Sequence, residues 1–175
     1  FRIEFCIFGY YVKFMAKSIF AEKMLRSKGF VDVKSIGVGL DTDRFANRDY
    51  KSKENPKLNT LLYIGEISQR RNTMFLLEVF KLAKKKQPNI ELILIGKGEE
   101  KYQRKCDEFL DKNNLGDSVK KIKSISQDEL STYYLMSDIF LFPTNYDIFG
   151  MVLLEAMYFG VPIISSENGG ANTLI

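Results

Sequence analysis

No histidine occurs anywhere in the 175 residues of this chain. A Ser-His-Asp or Cys-His centre is therefore excluded, and so is a metal held by imidazole. Cysteine is almost as scarce. Cys6 and Cys106 are the only two; they fit no metal or redox spacing, and a single disulfide between them stays open. Cys106 shares the apolar face of a helical stretch with Tyr102, Phe109 and Leu110, the place of a core residue. A reduced, cytoplasmic setting is the default expectation. Long hydrophobic runs are missing too, and nothing approaches the length of a membrane span. The opening Phe1-Arg2-Ile3-Glu4-Phe5-Cys6-Ile7-Phe8 is apolar but too short and too charged for a signal peptide. Charge is not concentrated on one element: the net charge is +4. Lys84-Lys85-Lys86 and Lys120-Lys121-Ile122-Lys123 read as solvated helix ends, with weak attraction to anionic lipid or nucleotide phosphate as the alternative. No nucleic acid is expected as a partner.

What is present is a regular alternation from Leu58 onward. Leu61-Leu62-Tyr63-Ile64 reads as a strand. Met74 to Lys86 reads as a helix with Leu76, Val79, Phe80 and Ala83 on one face, stopped by Pro88. Ile90 to Ile95 is the next strand and Tyr102 to Asn114 the next helix. Val119 to Ile122 is a weak strand, and Ser126-Gln127-Asp128-Glu129 is a capping box opening a helix through about Tyr134. A strand at Ile139-Phe140-Leu141-Phe142, a helix from about Gly150 and a strand at Val161 to Ser165 complete the series. Strands separated by helical lengths imply a doubly covered α/β fold, a Rossmann-like parallel sheet with helices on both faces. Ligands of such sheets bind outside the carboxyl ends of the strands. Gly65, Gly96, Asn145 and Asn168 all fall there. Nearer the start, Tyr10 to Ala16 could be a strand, and Ser18 can cap a helix to about Ser27 with Phe20, Met24 and Leu25 inward. Asn47 to Lys57 is polar, carries Pro56 and reads as an exposed connector.

The stretch from Pro143 to Met157 organises the rest. It places Asp147 in a loop and Glu155 about a turn and a half inside the following helix. A helix start offers unpaired N–H groups and a positive dipole end, so two hydroxyl acceptors would lie beside a phosphate cradle. Sugar nucleotides carry hydroxyls and phosphates side by side. Asp147-x7-Glu155 with Phe149-Gly150 and Glu155-Ala156-Met157, then Gly160-Val161-Pro162 and Gly169-Gly170, resembles the signature of glycosyltransferase family 4. Tyr63-Ile64-Gly65, Gly96-Lys97-Gly98 and Gly39-Leu40-Asp41-Thr42-Asp43-Arg44-Phe45 extend the resemblance in the same order. Members of that family are retaining enzymes of the two-domain GT-B fold, and this block lies in their C-terminal, donor-binding domain. Their first acidic position is Glu, where Asp147 stands here.

The resemblance implies roles residue by residue. Glu155 would accept the ribose hydroxyls, Asp147 would reach the donor sugar, and the N–H groups of Phe149, Gly150 and Met151 would bind sugar or phosphate oxygens. Arg71, at a position where the family usually has Lys, would neutralise the donor diphosphate. Gly65 opens that loop, but Glu66 stands where the family has Arg, which reverses a charge; Arg70 is the candidate replacement. Gly96, Lys97 and Gly98 would lie beside the nucleoside. This loop lacks the third glycine of the dinucleotide fingerprint, and no Walker sequence occurs. Val119 to Ser126 would wall the base, with Lys123 in place of a common glycine, and Glu167 to Gly170 would border the cleft. Asp147, Glu155 and Arg71 form the implied catalytic set, with no metal site: Asp41-Thr42-Asp43 has the Asp-x-Asp form but belongs to the loop joining two domains, after a short strand at Val33 to Val38.

The function so implied is transfer of a sugar, with retention, from a UDP-, GDP- or ADP-sugar to an acceptor hydroxyl of a glycan, glycolipid or polysaccharide. No cofactor and no obligatory metal are expected. Residues 1–57 would be the tail of a preceding acceptor domain plus a junction and connector, and 58–175 a donor-binding domain clipped at its C-terminal end. The chain alone is expected not to turn over. A glycan or lipid-linked acceptor would be held by the preceding domain, and the whole protein would be cytoplasmic or peripheral at the inner face of the membrane. Two alternatives remain: a nucleotide-sugar-binding or regulatory module that has lost catalysis, and a sugar-nucleotide epimerase of the same architecture.

Overall fold

The computed structural model describes residues 13–43, 45 and 59–175. Cys6 and the connector expected at 47–57 lie outside them. Compactness divides the chain after Val38 into two units. The smaller holds β1 (Phe14–Ala16), α1 (Ile19–Ser27) and β2 (Val33–Ser35), with the two strands parallel and Phe14 opposite Val33. Ser18 starts the helix by accepting the Ala21 N–H at 3.1 Å. Ala21 is the buried residue of α1, and Leu25 packs against the same small core of Ala16, Ala21 and Val33, as expected. Phe20 is 38% exposed, contrary to the sequence expectation. The β2 strand also stops at Ser35, short of the expected Val38.

In the larger unit, five strands form one parallel sheet: β3 (Thr60–Ile64), β4 (Glu91–Ile95), β5 (Val119–Ile122), β6 (Ile139–Phe142) and β7 (Ile163–Ser165). Their order across the sheet is β5-β4-β3-β6-β7. Side chains of successive strand residues point to opposite faces, and the burial follows that rule. Leu62, Ile93, Ile95, Phe140 and Phe142 build one core with Leu130 and Tyr134 of α4 (Gln127–Met136) and Leu153 and Ala156 of α5 (Met151–Tyr158). Tyr63, Leu92, Leu94 and Val119 build the other with Leu76, Leu77 and Phe80 of α2 (Thr73–Lys86) and Cys106 and Leu110 of α3 (Glu100–Lys112). Cys106 is thus a core thiol, and burial pushes its pKa up to about 11. On α2, Leu76 and Phe80 are buried and Ala83 packs against the core as expected, but Val79 is 42% exposed and Leu77 is buried in addition. A final helical turn, α6 (Ala171–Leu174), follows β7.

Two features of this sheet position the site. The chain runs from β3 outward to β4 and β5, then returns to the other side of β3 for β6 and β7. The strand order therefore reverses between β3 and β6, where a crevice opens at the carboxyl ends. Beyond the strands, the hydrogen bonding continues into the loops: Ile67 N–H donates to the Lys97 carbonyl at 2.8 Å, and Gly96 N–H to the Ile122 carbonyl at 2.8 Å. The loops after β3 and β4 consequently touch backbone to backbone. A Cβ on Gly96, whose φ is +154°, would lie 1.8 Å from the Gly65 oxygen, and one on Gly98 would lie 2.0 Å from the Ile67 oxygen.

Candidate functional site

Across the reversal point, two side-chain pairs join the loop after β3 to the loop after β6. Arg71, on the turn that enters α2, forms an ion pair with Asp147, which precedes α5. Beside it, Asn72 Nδ2 donates to Asn145 Oδ1 at 3.2 Å. Asn72 can take this place because it adopts a left-handed conformation, φ 56°, which asparagine tolerates better than most residues. The Asp147 carboxylate is also tied to its own loop. Its Oδ1 accepts the N–H groups of Phe149 at 2.9 Å and Gly150 at 2.7 Å, and its carbonyl accepts Gly170 N–H at 2.9 Å. Burial alone would raise the Asp147 pKa, but the Arg71 guanidinium and the two amides outweigh it and hold the carboxyl below its usual range. Arg71 keeps one unmet demand, because its Nε is buried with no acceptor among the described residues.

Two of the amides expected to meet sugar or phosphate oxygens are therefore engaged by Asp147. The cause is local: an Asp side chain readily accepts N–H groups two and three residues further on, here in the loop before α5. Gly150 has a local reason as well. It caps α5 at φ +77°, and a Cβ there would lie 2.8 Å from the Leu153 side chain. Met151 is the first residue of α5.

Glu155 is a different kind of carboxylate. It lies about 7 Å along α5 from its N-cap, between Leu153 and Ala156, and is only 5% exposed. Tyr134 OH donates to Glu155 Oε2 at 2.8 Å. That tyrosine is fully buried, and its ring stacks on Phe159 at 5.3 Å with 12° between the planes. An exposed helix charge is excluded as the role of Glu155. Burying a carboxylate is costly unless it is hydrogen-bonded or paired, so its presence in an apolar core calls for a use.

The remaining site candidates separate from this pair of centres. Arg70, the candidate replacement for the reversed charge at Glu66, pairs with Glu66 itself at 2.9 Å, with both side chains about half exposed. Four residues apart on a tight turn, the two opposite charges are nearest neighbours. Gly65, Gly96, Lys97 and Gly98 form the touching loops after β3 and β4; Gly96 and Gly98 are required by backbone contact, while a Cβ on Gly65 would meet the Tyr63 hydroxyl at 3.1 Å. Lys97 contributes its carbonyl to that contact. Of the residues bordering the cleft, Asn168 is the organiser. Its Oδ1 accepts Gly170 N–H at 3.1 Å and Ala171 N–H at 3.0 Å, and its Nδ2 donates to the Thr144 carbonyl at 3.1 Å. That clamps the loops after β6 and β7 together. Asp41 accepts the Asp43 N–H at 3.1 Å, an ordinary turn, and no group of metal-ligating side chains gathers among the described residues. None of their helices is long and apolar enough to cross a membrane.

Tyr134, Asn72 and the capping role of Asn168 were not visible as site residues in the sequence. An aromatic at an inward helical position reads as core, and Tyr134 is core in every respect except where its hydroxyl points. The one available signal was a polar tip on a residue that the periodicity buries, which must find a partner.

Residues 45–175 match the family described as glycosyl transferases group 1. The chain belongs to that family. Among curated relatives of this glycosyl transferase chain, a sulfoquinovosyl transferase of Arabidopsis thaliana is 28% identical over 145 residues, covering 78% of this chain and 26% of the relative. A capsular polysaccharide biosynthesis glycosyltransferase of Staphylococcus aureus, CapH, is 28% identical over 143 residues, covering 79% of this chain and 38% of the relative. The chain thus spans well under half the length of these relatives. Among solved structures, Anabaena HepE in complex with UDP and glucose superposes with a TM-score of 0.74 over 90% of this chain and 45% of that one. Its 18% identity speaks to the fold alone. The fold is that of one half of a GT-B glycosyltransferase, an α/β Rossmann-like domain.

Proposed function

We propose that this chain is the donor-binding part of a retaining glycosyltransferase of family 4, which moves a sugar from a nucleoside-diphosphate sugar to an acceptor hydroxyl. The observation that carries the reading is the buried Glu155 carboxylate beside the reversal point of the sheet. A carboxylate can accept both neighbouring hydroxyls of a ribose, and a buried one does so without competition from water. Arg71, with its unmet Nε, would take the diphosphate as negative charge grows on the leaving group. Asp147 would accept a hydroxyl of the donor sugar, which requires it to part from Arg71. UDP-, GDP- and ADP-sugars all fit this chemistry, and no metal is needed to balance it. Residues 58–175 are the donor-binding domain in this reading. A glycan or lipid-linked acceptor would be bound by another part of the whole protein, in the cytoplasm or at the inner membrane face. HepE was solved with UDP and UDP-glucose, which supports a nucleotide-sugar donor for its fold relatives.

The test is thermal unfolding of the chain with UDP, GDP and ADP, each with and without Mg²⁺. A ligand of the native state alone raises stability by mass action. A rise with one nucleotide that Mg²⁺ does not change is expected; no rise with any of them would refute the reading.

One observation favours a second reading, a module that binds without catalysing. Both basic side chains of the loop after β3 are engaged by carboxylates, Arg70 by Glu66 and Arg71 by Asp147. Measured sugar transfer by the whole protein would dismiss it.

A further inference from the structure

We propose that Thr73 is a positioning residue for Arg71: its buried hydroxyl closes the loop after β3 onto Ser68 and so fixes where the guanidinium stands in the crevice. This rests on the proposed role of Arg71 toward the donor diphosphate.

Helix α2 is not fastened at its start in the usual way. An asparagine at the N-cap normally accepts an N–H of the first turn. Asn72 holds that position but makes no capping bond, and its amide reaches Asn145 instead. The next residue takes over. Thr73 is wholly buried. Its Oγ1 accepts Ser68 N–H at 3.3 Å and donates to the Ser68 carbonyl at 3.4 Å. Thr73 N–H donates to the same carbonyl at 3.3 Å. Each contact is long, but all three join the same two residues, and a buried hydroxyl has to find its partners within the protein. Inside the turn so closed, Ser68 Oγ accepts Arg71 N–H at 3.3 Å and the Gln69 carbonyl accepts Asn72 N–H at 3.0 Å. Arg71 therefore rides on a turn whose two ends are held by one side chain.

The flanking backbone is fixed independently. Gly65 N–H donates to the Ile95 carbonyl at 2.9 Å, Tyr63 OH to the Glu66 carbonyl at 2.7 Å, and Ile67 N–H to the Lys97 carbonyl at 2.8 Å. Those bonds secure the chain as far as Ile67, and α2 secures it from Thr73 onward. The stretch between them carries Arg71 and is spanned by the Ser68–Thr73 closure. Its guanidinium meets a partner that is itself tied down, since the Asp147 carboxylate is held by the amides of Phe149 and Gly150. A planar fork of donors tolerates little displacement. A shift of the turn is therefore felt at the guanidinium, toward Asp147 in the free chain and toward phosphate oxygens in the complex. Volume does not explain a threonine here, because valine has nearly the same shape; the hydroxyl does.

The experiment is titration calorimetry with whichever of UDP, GDP and ADP binds. The variants are Thr73→Val, Thr73→Ser, Ser68→Ala, Arg71→Ala and Thr73→Val combined with Arg71→Ala. Thr73→Val should lose about tenfold in affinity, the lower end of what a hydrogen bond to a charged group contributes. Thr73→Ser keeps the hydroxyl and should stay within about twofold of wild type. In the Arg71→Ala background, Thr73→Val should cost less than about twofold, the scatter of independent changes. A merely structural threonine would weaken binding equally in both backgrounds, and that overturns the assignment. A second readout needs no ligand. The Asp147 carboxyl, followed by NMR, should titrate below its usual range in wild type and Thr73→Ser, and higher in Thr73→Val, where Arg71 no longer meets it squarely. A titration that Thr73→Val leaves untouched counts against positioning. Ser68→Ala removes the acceptor of Arg71 N–H and should move both readouts the same way, by less. It carries the test if Thr73→Val does not fold, and its leaving both readouts unmoved would overturn the assignment. If Arg71→Ala weakens binding and Thr73→Val does not, the threonine alone fails. If Arg71→Ala binds as tightly as wild type, or no nucleotide binds, the role of Arg71 fails and takes Thr73 with it.

Discussion

Asp147 and Glu155 stand eight positions apart in one motif, yet the molecule treats them oppositely. Asp147 lies at the edge of the crevice and is saturated from three sides, by Arg71 and by the amides of Phe149 and Gly150. Glu155 lies inside the core, 5% exposed, with the Tyr134 phenol among its partners. The first carboxylate is stabilised where it is and must be released to act. The second is held by groups inside the core, and in the proposed function it acts without leaving its place. Proximity in a motif therefore does not imply similarity of role. One methylene contributes to the difference. The short Asp147 side chain folds back onto the two amides that follow it in its own loop, whereas a glutamate reaches further from its backbone.

The largest effect is expected from removing the buried member. Glu155→Ala should cut nucleotide affinity by about a hundredfold or more, the sum of two hydrogen bonds to a charged acceptor. The fold should survive, since an apolar methyl replaces a buried charge between Leu153 and Ala156. Calorimetry with the best-binding nucleotide, alongside an unfolding curve, measures both. Unchanged affinity would erase the contrast between the two carboxylates.

Asp147→Asn should act in the reverse direction on the two readouts. Asparagine can still cap Phe149 and Gly150 but leaves Arg71 without its counter-charge, so stability at neutral pH should fall by about 1–3 kcal/mol. Affinity for a nucleoside diphosphate should rise, because Arg71 no longer has to be freed first, while transfer of the sugar should fall. The pH dependence has a definite sign. The folded carboxyl titrates below its ordinary value, about 3.9 in an unfolded chain, so its contribution is complete above that value and disappears as pH falls through the lowered one. The stability gap between wild type and Asp147→Asn should be full at pH 7 and close in acid below about pH 4. A gap independent of pH would mean that the ion pair stabilises nothing.

How much of this was legible beforehand depends on the range of each interaction. The strands Val119–Ile122 and Ile139–Phe142 have the bounds expected, because apolar runs bounded by turn residues are local signals. The capping box at Ser126 and Glu129 is equally local, and it is present. Helix α2 followed it in part: Leu76, Phe80 and Ala83 face the core as expected, and Val79 does not. With Phe75, Leu76, Leu77, Val79, Phe80 and Leu82 all apolar, its periodicity selects no unique face, and the sheet chose Leu77 over Val79. In the site, Glu155 was singled out by its spacing from Asp147 and by the resemblance, but its burial against Tyr134 was not foreseen. The state of Asp147 was not, since Arg71 is 76 positions away. Tyr134 is 21 positions from Glu155. Such pairs leave no trace in periodicity or spacing and exist only once the sheet brings α4, α5 and the loops to one end.

The smallest effect concerns the other ion pair of the loop after β3. Glu66 and Arg70 are each about half exposed, and such pairs contribute about 0–1 kcal/mol. Glu66→Arg should therefore leave the unfolding transition nearly where it is. Its consequence lies in binding: it reverses a charge beside Arg71 and frees Arg70, so a diphosphate should bind several-fold more tightly at low salt. Because these charges face water, the gain should fade as ionic strength rises from about 0.01 M to 0.15 M, where the screening length shrinks from about 30 Å to 8 Å. The gain in affinity in Asp147→Asn, by contrast, should change less over the same range, since that pair is largely shielded from solvent. Titration of both variants at the two salt concentrations tests the difference. If both respond equally to salt, Arg71 and Asp147 are as exposed in solution as Glu66 and Arg70, and the crevice is open before any ligand enters it.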